Sequence, residues 1–284
     1  MPMRKSFLRL TLLVFVAGSA TTALAQGVPT TQPKFLHIFR EQVKMGRAAD
    51  HSKWEAGWVA AYEKVKSPTT YLGLVSVTGP AEAWYLIPFP SQAAFGEMMA
   101  REAADPVLSA EIDRLSRGDA EFVSEATALQ AVARPDLSHG TFPDLTMMRF
   151  WEITTFRVKP GHAEDFAAAA KAWASASARS APSANWRTYE VVAGAPEGTF
   201  LVFGSVASFA DFDKGMAEGE ATWKGLTFEE RSALQKFSAD ATLSTVTNRF
   251  RLDPAQSYVP LEARQKDPAF WMPKAVTKAP AKKP

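Results

Sequence analysis

A segment of this chain recurs 115 residues later, and this internal likeness constrains the fold more than any other feature. VKMGRAADHSKWEAGW begins at Val43, and VKPGHAEDFAAAAKAW begins at Val158. Persistence of one spacing over about a hundred residues is typical of a repeated structural unit. The sequence therefore predicts two units of similar fold. Pairs at this spacing are Lys44/Lys159, Gly46/Gly161, Ala48/Ala163, Asp50/Asp165, Trp58/Trp173, Gly79/Gly194, Glu82/Glu197 and Leu86/Leu201.

Each copy has the pattern strand, helix, strand, strand, helix, strand. The first strand is rich in aromatic and β-branched residues and runs from Phe35 to Lys44, or from Met148 to Lys159. A helix with apolar residues at three-four spacing follows, and then a hairpin around GPAE or GAPE. The units are placed at residues 34–134 and 146–252, because the Pro-, Asp- and Ser-rich stretch ARPDLSHGTFPDLT separates them.

The repeat predicts how the two units pack. A βαββαβ unit carries both helices on one face of a four-stranded antiparallel sheet and leaves the other face bare. Two units on one chain can bury both bare faces by packing them together. The predicted fold is therefore α+β, with two tandem ferredoxin-like repeats packed sheet to sheet as an intramolecular barrel. On the first strand, Leu36 and Ile38 are predicted to lie beneath the helices, so the alternate residues face the space between the sheets.

The two ends of the chain differ in composition from the rest. The stretch MPMRKSFLRLTLLVFVAGSATTALAQG has a basic start, an apolar run too short to span a bilayer, and Ala-Leu-Ala before Gln26. Residues 1–25 are therefore predicted to be a cleaved signal peptide. The mature protein is expected to be exported, periplasmic or secreted, with no transmembrane segment. Residues 253–284 end in KAVTKAPAKKP and are predicted to form an extended, disordered tail.

Charge and cysteine content narrow the function classes. The net charge is +2, but three basic residues lie in the predicted signal and four lysines lie after residue 273, which leaves residues 26–273 at −5. A nucleic-acid-binding protein would carry a basic body, so nucleic acid is not a predicted partner. The chain has no cysteine, so packing and not disulfide bonds must hold an exported fold together.

Motifs of several common enzyme classes are absent from the sequence. It has no G-x-S-x-G, Walker loop or G-x-G-x-x-G, which argues against serine hydrolysis, nucleotide hydrolysis and dinucleotide binding. No H-E-x-x-H or clustered His/Asp/Glu spacing is seen, so no metal site is predicted. Among the four histidines, His139 is expected in a solvated linker and His162 at a surface helix start. His51 lies on the buried helix stripe, as a packing residue or a ligand.

His37 is the histidine that strand alternation directs into the space between the sheets. The same alternation directs Phe39 there, and Glu152 occupies the position of His37 in the second copy. A His/Glu pair among aromatic side chains could orient an acidic or hydroxylated ligand or move a proton. The alternative is that both lie at a solvated rim or simply pair with each other. Tyr71 and Trp186, on the hairpin strands, complete the predicted ligand-binding set.

The run FWEITTFRVKPGHAEDF, with the hairpin after it, resembles the dimeric α/β-barrel superfamily, and most closely its NIPSNAP-like and antibiotic-biosynthesis-monooxygenase-like branches. In the first copy, Met45 and Arg47 stand where this motif has proline and histidine. The resemblance covers both copies and implies the barrel fold. The superfamily includes haem-degrading monooxygenases, quinone-forming oxygenases, isomerases, haem enzymes and members without known activity, so it leaves the chemistry open.

Two functions remain open from the sequence. The first is an exported small-molecule-binding or scaffold protein, whose cavity holds an apolar or aromatic ligand or is filled by side chains. The alternative is a monooxygenase-like enzyme that acts on a phenolic, quinonoid or haem-like aromatic substrate between the sheets. No cofactor is predicted; the resemblance leaves haem open, but no residue matches a haem-binding histidine. Further homo-oligomerisation is also left open.

Overall fold

The computed structural model describes residues 27–273, so the predicted signal peptide and residues 274–284 of the predicted tail lie outside the described residues. The first half comprises β1 (Phe35–Val43), α1 (Ala48–Lys64), β2 (Leu72–Ser76), β3 (Glu82–Phe89), α2 (Gln92–Ala104), α3 (Pro106–Asp119) and β4 (Val123–Ala133). The second half comprises β5 (Phe150–Val158), α4 (Ala163–Ser180), β6 (Arg187–Ala193), β7 (Thr199–Val206), α5 (Asp211–Lys224), α6 (Phe228–Lys236) and β8 (Thr242–Leu252). The short helices α7 (Leu261–Arg264) and α8 (Pro268–Trp271) follow.

The eight strands close into one antiparallel barrel in the order β1-β3-β2-β8-β5-β7-β6-β4. Each half supplies four neighbouring strands, and the pairs β2/β8 and β4/β6 join the halves. Closure leaves these strands no open edge, which an isolated four-stranded sheet would have. The protein is thus a mixed α+β structure whose sheet is a single barrel.

The barrel interior is a continuous apolar core. Leu36 and Ile38 of β1 face inward, and each of the other seven strands also contributes inward residues. None of these inward strand residues is more than 7% exposed. An eight-stranded barrel is just wide enough for side chains to fill it. A recess of only about 70 Å³ remains at one end. The inward residues of the other strands are Leu72, Leu74, Trp84, Leu86, Leu129, Ala131, Trp151, Ile153, Tyr189, Val191, Leu201, Phe203, Phe250 and Leu252.

The predicted assignment of the two strand faces is therefore wrong. Leu36 and Ile38 lie inside the barrel, whereas Phe35 packs outside against Phe95 and Met98 of α2. Strand alternation sorts residues onto two faces but does not say which face the helices cover. Both faces of β1 carry apolar residues, so the pattern was ambiguous. The space between the sheets, the predicted ligand site, is filled by core side chains.

The helices pack on the outside of the barrel. The turns that lead into α1 and α4 each contain a glycine with positive φ, 79° at Gly46 and 81° at Gly161, a conformation that residues with side chains avoid. The Ser91 hydroxyl accepts a hydrogen bond from the Ala94 amide and caps α2. Within residues 27–273, no helix has both the length and the apolar character needed to cross a bilayer.

Residues 253–273 are folded, so the prediction of a disordered tail from residue 253 is wrong over this stretch. Val259 and Trp271 are 2% and 5% exposed and join the barrel-core cluster. The Trp271 indole donates to the Thr146 carbonyl, and Arg149 pairs with Asp267. Burial of each large apolar side chain contributes about 1.5–3 kcal/mol, and these contacts anchor the segment to the barrel. The prediction was wrong because the Lys- and Pro-rich last residues dominate the composition of residues 253–284.

Candidate functional site

A cavity of about 940 Å³ separates the helices of the second half from the barrel. The outer faces of β5, β7 and β8 form its floor, and α4, α5 and α6 contribute its walls. This volume lies within the range of small-molecule sites, roughly 300–1,000 Å³. Aromatic residues of the lining are Phe156, Phe166, Trp173, Trp186, Phe212, Trp223 and Phe237.

Three glycines keep part of this cavity open. Gly215 and Gly219 lie on α5, and open space surrounds the position where a Cβ atom would stand. At Gly204 of β7, the nearest atom to such a Cβ is the Glu152 carbonyl oxygen at 3.9 Å. A larger side chain at these positions would therefore occupy the cavity without displacing the backbone.

Polar side chains also line the cavity, and several of them are already paired. Glu152 accepts a hydrogen bond of 2.9 Å from Nε of Arg249, whose guanidinium carbon lies 4.1 Å from the Phe212 ring centre. On the helix side, the Ser177 and Thr222 hydroxyls are 3.2 Å apart. The arrangement suits a mainly apolar molecule that makes one or two polar contacts.

Two of the five predicted ligand-binding residues line this cavity. They are Glu152 and Trp186, whose indole donates to the Leu137 carbonyl at 3.0 Å. Phe39 and Tyr71 lie in the first half, in an aromatic cluster beneath α1. The predicted set therefore combined residues of the outer layer of the first half with residues of the outer layer of the second half.

His37 and Glu152 do not form the predicted pair. β1 and β5 are four strands apart in a closed ring of eight, so the two side chains lie on opposite sides of the barrel. The His37 ring stacks on Phe95, 4.6 Å between ring centres, and burial lowers the pKa of His37. Both residues face outward from the barrel, which is the reverse of the predicted orientation.

A haem group does not fit the side chains around the cavity. The described lining contains no histidine, cysteine or tyrosine that could bind a haem iron. Apolar and aromatic side chains supply most of the surface, and these bind an organic molecule without a metal. Haem is therefore not assigned a role in this cavity.

The first half holds a different arrangement in the same layer, a buried carboxylate–histidine cluster. It consists of Glu41 on β1, His51 and Glu55 on α1, and Asp119 at the end of α3. None of the four residues is more than 7% exposed. Nε2 of His51 lies 2.9 Å from Glu41 Oε2, 3.8 Å from Asp119 Oδ1 and 4.0 Å from Glu55 Oε1.

Three carboxyl groups in this cluster face one imidazole. Burial and the neighbouring Asp119 carboxyl raise the pKa of Glu41 to about 9. Burial raises the pKa of Glu55 to about 8, and the charges of Glu41 and Asp119 add to the shift. The physical cause is the cost of placing several negative charges in one desolvated space.

The sequence shows no clustered His/Asp/Glu spacing, yet the fold brings four such side chains together. Glu41 and Asp119 are far apart in sequence and meet only through the fold, so no short spacing reveals them. A local signal was present, because Glu55 follows His51 by four residues and therefore shares its helix face. Strand alternation also places Glu41 on the same outer face as His37.

The sequence matches no model of a known protein family and no curated protein. Among solved structures, a monooxygenase-like protein of Fusobacterium nucleatum is similar, with a TM-score of 0.51 and 8% identity over 77% of this chain and 91% of that chain. A chlorite dismutase mutant from Candidatus Nitrospira defluvii has a TM-score of 0.48 and 8% identity over 83% and 96%. These neighbours belong to the dimeric α/β-barrel superfamily. The Fusobacterium comparison shows that the chain shares the fold of that protein, and at this identity it shows nothing more.

Proposed function

We propose that this protein binds a small apolar or aromatic molecule in the cavity between α4, α5 and the outer face of the second half of the barrel. The observation that carries the proposal is the cavity itself, about 940 Å³ and lined by seven aromatic side chains. A ligand that fills this space gains dispersion contacts with its aromatic walls. The activity of such a protein is binding, as in a carrier or sensor, and no chemistry is required.

The polar groups at the cavity limit the kind of ligand. Glu152 offers an acceptor on the barrel floor, and Arg249, which lies over the Phe212 ring, holds that carboxylate in place. Ser177 and Thr222 offer hydroxyls on the helix side. A flat molecule with one hydroxyl or carbonyl group, such as a phenol or quinone, would satisfy these contacts and stack on the aromatic lining.

A monooxygenase-like enzyme is the second candidate function. It is favoured by the fold shared with the Fusobacterium monooxygenase-like protein and by a cavity that suits a phenolic or quinonoid substrate. In this reading Glu152, the one of three lining carboxylates that lies on the barrel floor, holds or moves the substrate proton; the others are Asp211 and Glu218 on α5. The binding role ranks first because the described lining contains no histidine to serve as a base.

We also propose that the two halves are tandem ferredoxin-like units, related to the NIPSNAP-like and monooxygenase-like branches of the superfamily. The element order β1–α1–β2–β3–helices–β4 recurs in the second half, and both first helices begin 115 residues apart. The proposal includes export to the periplasm or beyond, because of the composition of residues 1–25. Association of further copies is compatible with it.

Filling the cavity tests the binding role. A probe such as 2-methyl-1,4-naphthoquinone should quench tryptophan fluorescence, since Trp173, Trp186 and Trp223 line the cavity. We expect Gly215→Leu to weaken probe binding by about tenfold or more, which corresponds to about 1.4 kcal/mol. Gly96→Leu on α2 is the matched control, because its Cβ position is also open and it lies outside this cavity.

Equal probe binding by Gly215→Leu and the wild-type protein would contradict the proposed site. Oxygen consumption with 1-naphthol separates the two functions. Turnover that is lost in Glu152→Gln, while naphthoquinone binding persists, would favour the enzyme. Binding without turnover in any variant would favour the carrier or sensor.

A further inference from the structure

We propose that Glu41, His51, Glu55 and Asp119 form a binding site for one divalent transition-metal cation, such as Mn²⁺ or Zn²⁺. The site lies in the first half, between α1, α3 and the outer face of β1. It is separate from the ligand cavity of the second half, and the inference does not depend on the proposed function.

The donor geometry matches a metal site. One atom from each of the four side chains lies within 4.8 Å of the other three. Metal–ligand bonds of about 2.0–2.2 Å place neighbouring donors about 3–3.5 Å apart. The three distances from His51 Nε2, from 2.9 to 4.0 Å, bracket that value. Small side-chain rotations would therefore bring all four atoms around one ion.

Two oxygens in the cluster are buried without a hydrogen-bond partner among the described residues. They are Glu55 Oε1 and Asp119 Oδ1, which both lie near Nε2 of His51. Buried polar atoms are nearly always paired in folded proteins, and an unpaired carboxylate oxygen is costly. A cation between these oxygens would satisfy both of them. Glu55 itself is 4% exposed, so water does not readily replace the missing partner.

Among the described residues, the cluster has no basic partner outside itself. Within the described residues, His51 is the one basic side chain in ion-pair range of the three carboxyl groups. No lysine or arginine forms a salt bridge with Glu41, Glu55 or Asp119 in this part of the chain. Buried charges are normally paired or bound to metal. Three carboxylates and one imidazole are a mixed oxygen and nitrogen donor set, which suits Mn²⁺, Fe²⁺ or Zn²⁺ better than ions that prefer sulfur.

Positions 115 residues later show that the fold does not require these polar groups. Glu41, His51 and Glu55 are replaced there by Phe156, Phe166 and Ala170. Those three residues belong to a single apolar cluster between α4 and the barrel. The same positions of the same fold can therefore carry apolar side chains that pack together, which is the less costly solution. The polar set in the first half points to a ligand.

The metal would link three elements that are distant in sequence. Glu41 lies on β1, His51 and Glu55 lie on α1, and Asp119 ends α3. Binding to the folded state alone stabilises it by mass action, so saturating metal raises the melting temperature. Its direct role is to hold α1 and α3 on the barrel.

The full chain, stripped with EDTA and then dialysed, tests the site with MnCl₂ or ZnCl₂ alone. We expect isothermal titration calorimetry to give one ion per chain with a micromolar or lower Kd. The melting temperature should rise by several degrees at 100-fold excess over Kd. Electron paramagnetic resonance of bound Mn²⁺ should differ from that of the hexa-aqua ion. An absence of binding for both ions would overturn the proposal.

Variants distinguish this site from adventitious histidine binding. Glu55→Gln and Asp119→Asn keep the side-chain shape and should each weaken binding at least tenfold. His162→Gln is the control, since His162 pairs with Asp165 in the second half, away from the cluster, and should leave the affinity unchanged. If His162→Gln abolishes binding, or if Glu55→Gln and Asp119→Asn bind as tightly as the wild type, the proposed site is wrong. If a cluster variant fails to fold, the wild-type stoichiometry compared with His162→Gln still decides.

Discussion

The layer between helices and barrel is built differently in the two halves of the molecule. In the second half it contains a cavity of about 940 Å³ above an apolar cluster that includes Phe156 and Phe166. In the first half, polar Glu41 and His51 occupy the positions 115 residues earlier, within the buried carboxylate–histidine cluster. Both layers rest on the same barrel, whose interior core joins all eight strands.

The barrel and the outer layers therefore serve separate purposes. The barrel core is apolar throughout and supplies stability to both halves. Each outer layer departs from the least costly packing, either by leaving space or by burying carboxyl groups, and both departures destabilise the fold. Sites of this kind are expected where function has been fitted onto a stable scaffold.

The largest expected effect comes from the shared barrel. Phe250 is fully buried in the interior, and Phe250→Ala should lower the free energy of unfolding by about 3–5 kcal/mol. Because the core is continuous, both halves should unfold together in one transition. Urea denaturation followed by circular dichroism measures this, with Phe228→Ala as control, since Phe228 is 81% exposed. Two separate transitions would show that the halves are independent.

The second prediction concerns pH in the EDTA-treated protein. The raised pKa values of Glu41 and Glu55, about 9 and about 8, mean that the folded state holds protons that the unfolded chain releases above pH 4.5. The contribution of this cluster to stability should therefore be full below pH 4.5 and should fall by several kcal/mol as the pH rises toward 9. Asp119, His51 and Tyr85 face these groups and modulate the slope.

Chemical denaturation at pH 5, 7 and 9 measures this fall, and Glu55→Gln should reduce it. The amide has no proton to lose, so the variant should be more stable than the wild type at pH 9 in EDTA. An unchanged slope in Glu55→Gln would mean that Glu55 is charged in the folded state without penalty. The second half carries no such cluster at Phe156, Phe166 and Ala170, so substitutions there should not alter the pH profile.

The third prediction compares two hairpin glycines at the 115-residue spacing. Gly79 and Gly194 both have positive φ, 79° and 84°. A Cβ at Gly194 would lie 2.0 Å from the backbone oxygen of Ala128, whereas at Gly79 it would lie 2.3 Å from the side-chain oxygen of Asn248. A side-chain amide can rotate away and a strand carbonyl cannot. Gly194→Ala should therefore cost about 3 kcal/mol and Gly79→Ala about 1–2 kcal/mol.

Melting curves of the two alanine variants test this order. Equal losses would mean that φ alone decides the cost, because φ is nearly the same at both positions. A larger loss for Gly79→Ala would mean that Asn248 is held more rigidly than the strand that carries Ala128. Either outcome would show how the two strand pairs that join the halves, β2/β8 and β4/β6, differ in rigidity.

How much the sequence could predict depended on whether the evidence was local. The glycine turns at Gly46 and Gly161, the capped start of α2 and the element order all follow from short patterns. The register of strand pairing does not follow from short patterns. Glu41 pairs with Ala83, and Phe156, 115 residues later, pairs with Phe200. Corresponding residues of β3 and β7 are therefore 117 residues apart. The sequence pair Leu86/Leu201 at 115 is therefore not a structural match.

The candidate sites were harder to predict, for two physical reasons. The inward and outward faces of β1 have similar hydrophobicity, so His37 was assigned to the wrong side. The cluster of Glu41, His51 and Asp119 needs contacts between β1, α1 and α3, which no local spacing encodes. Open space, such as that beside Gly215, depends on the absence of side chains and leaves only a weak trace in a sequence.

The smallest expected effect lies in the turn between the first strand and first helix of each half. The second half has proline at 160, before Gly161, whereas the first half has Met45, which is 99% exposed, before Gly46. The two glycines have nearly the same φ, so the first turn should accept proline. Met45→Pro should stabilise the protein by about 0.4–1 kcal/mol, because proline restricts the unfolded chain. A drop in melting temperature would show that the backbone of the two turns differs at the residue before the glycine.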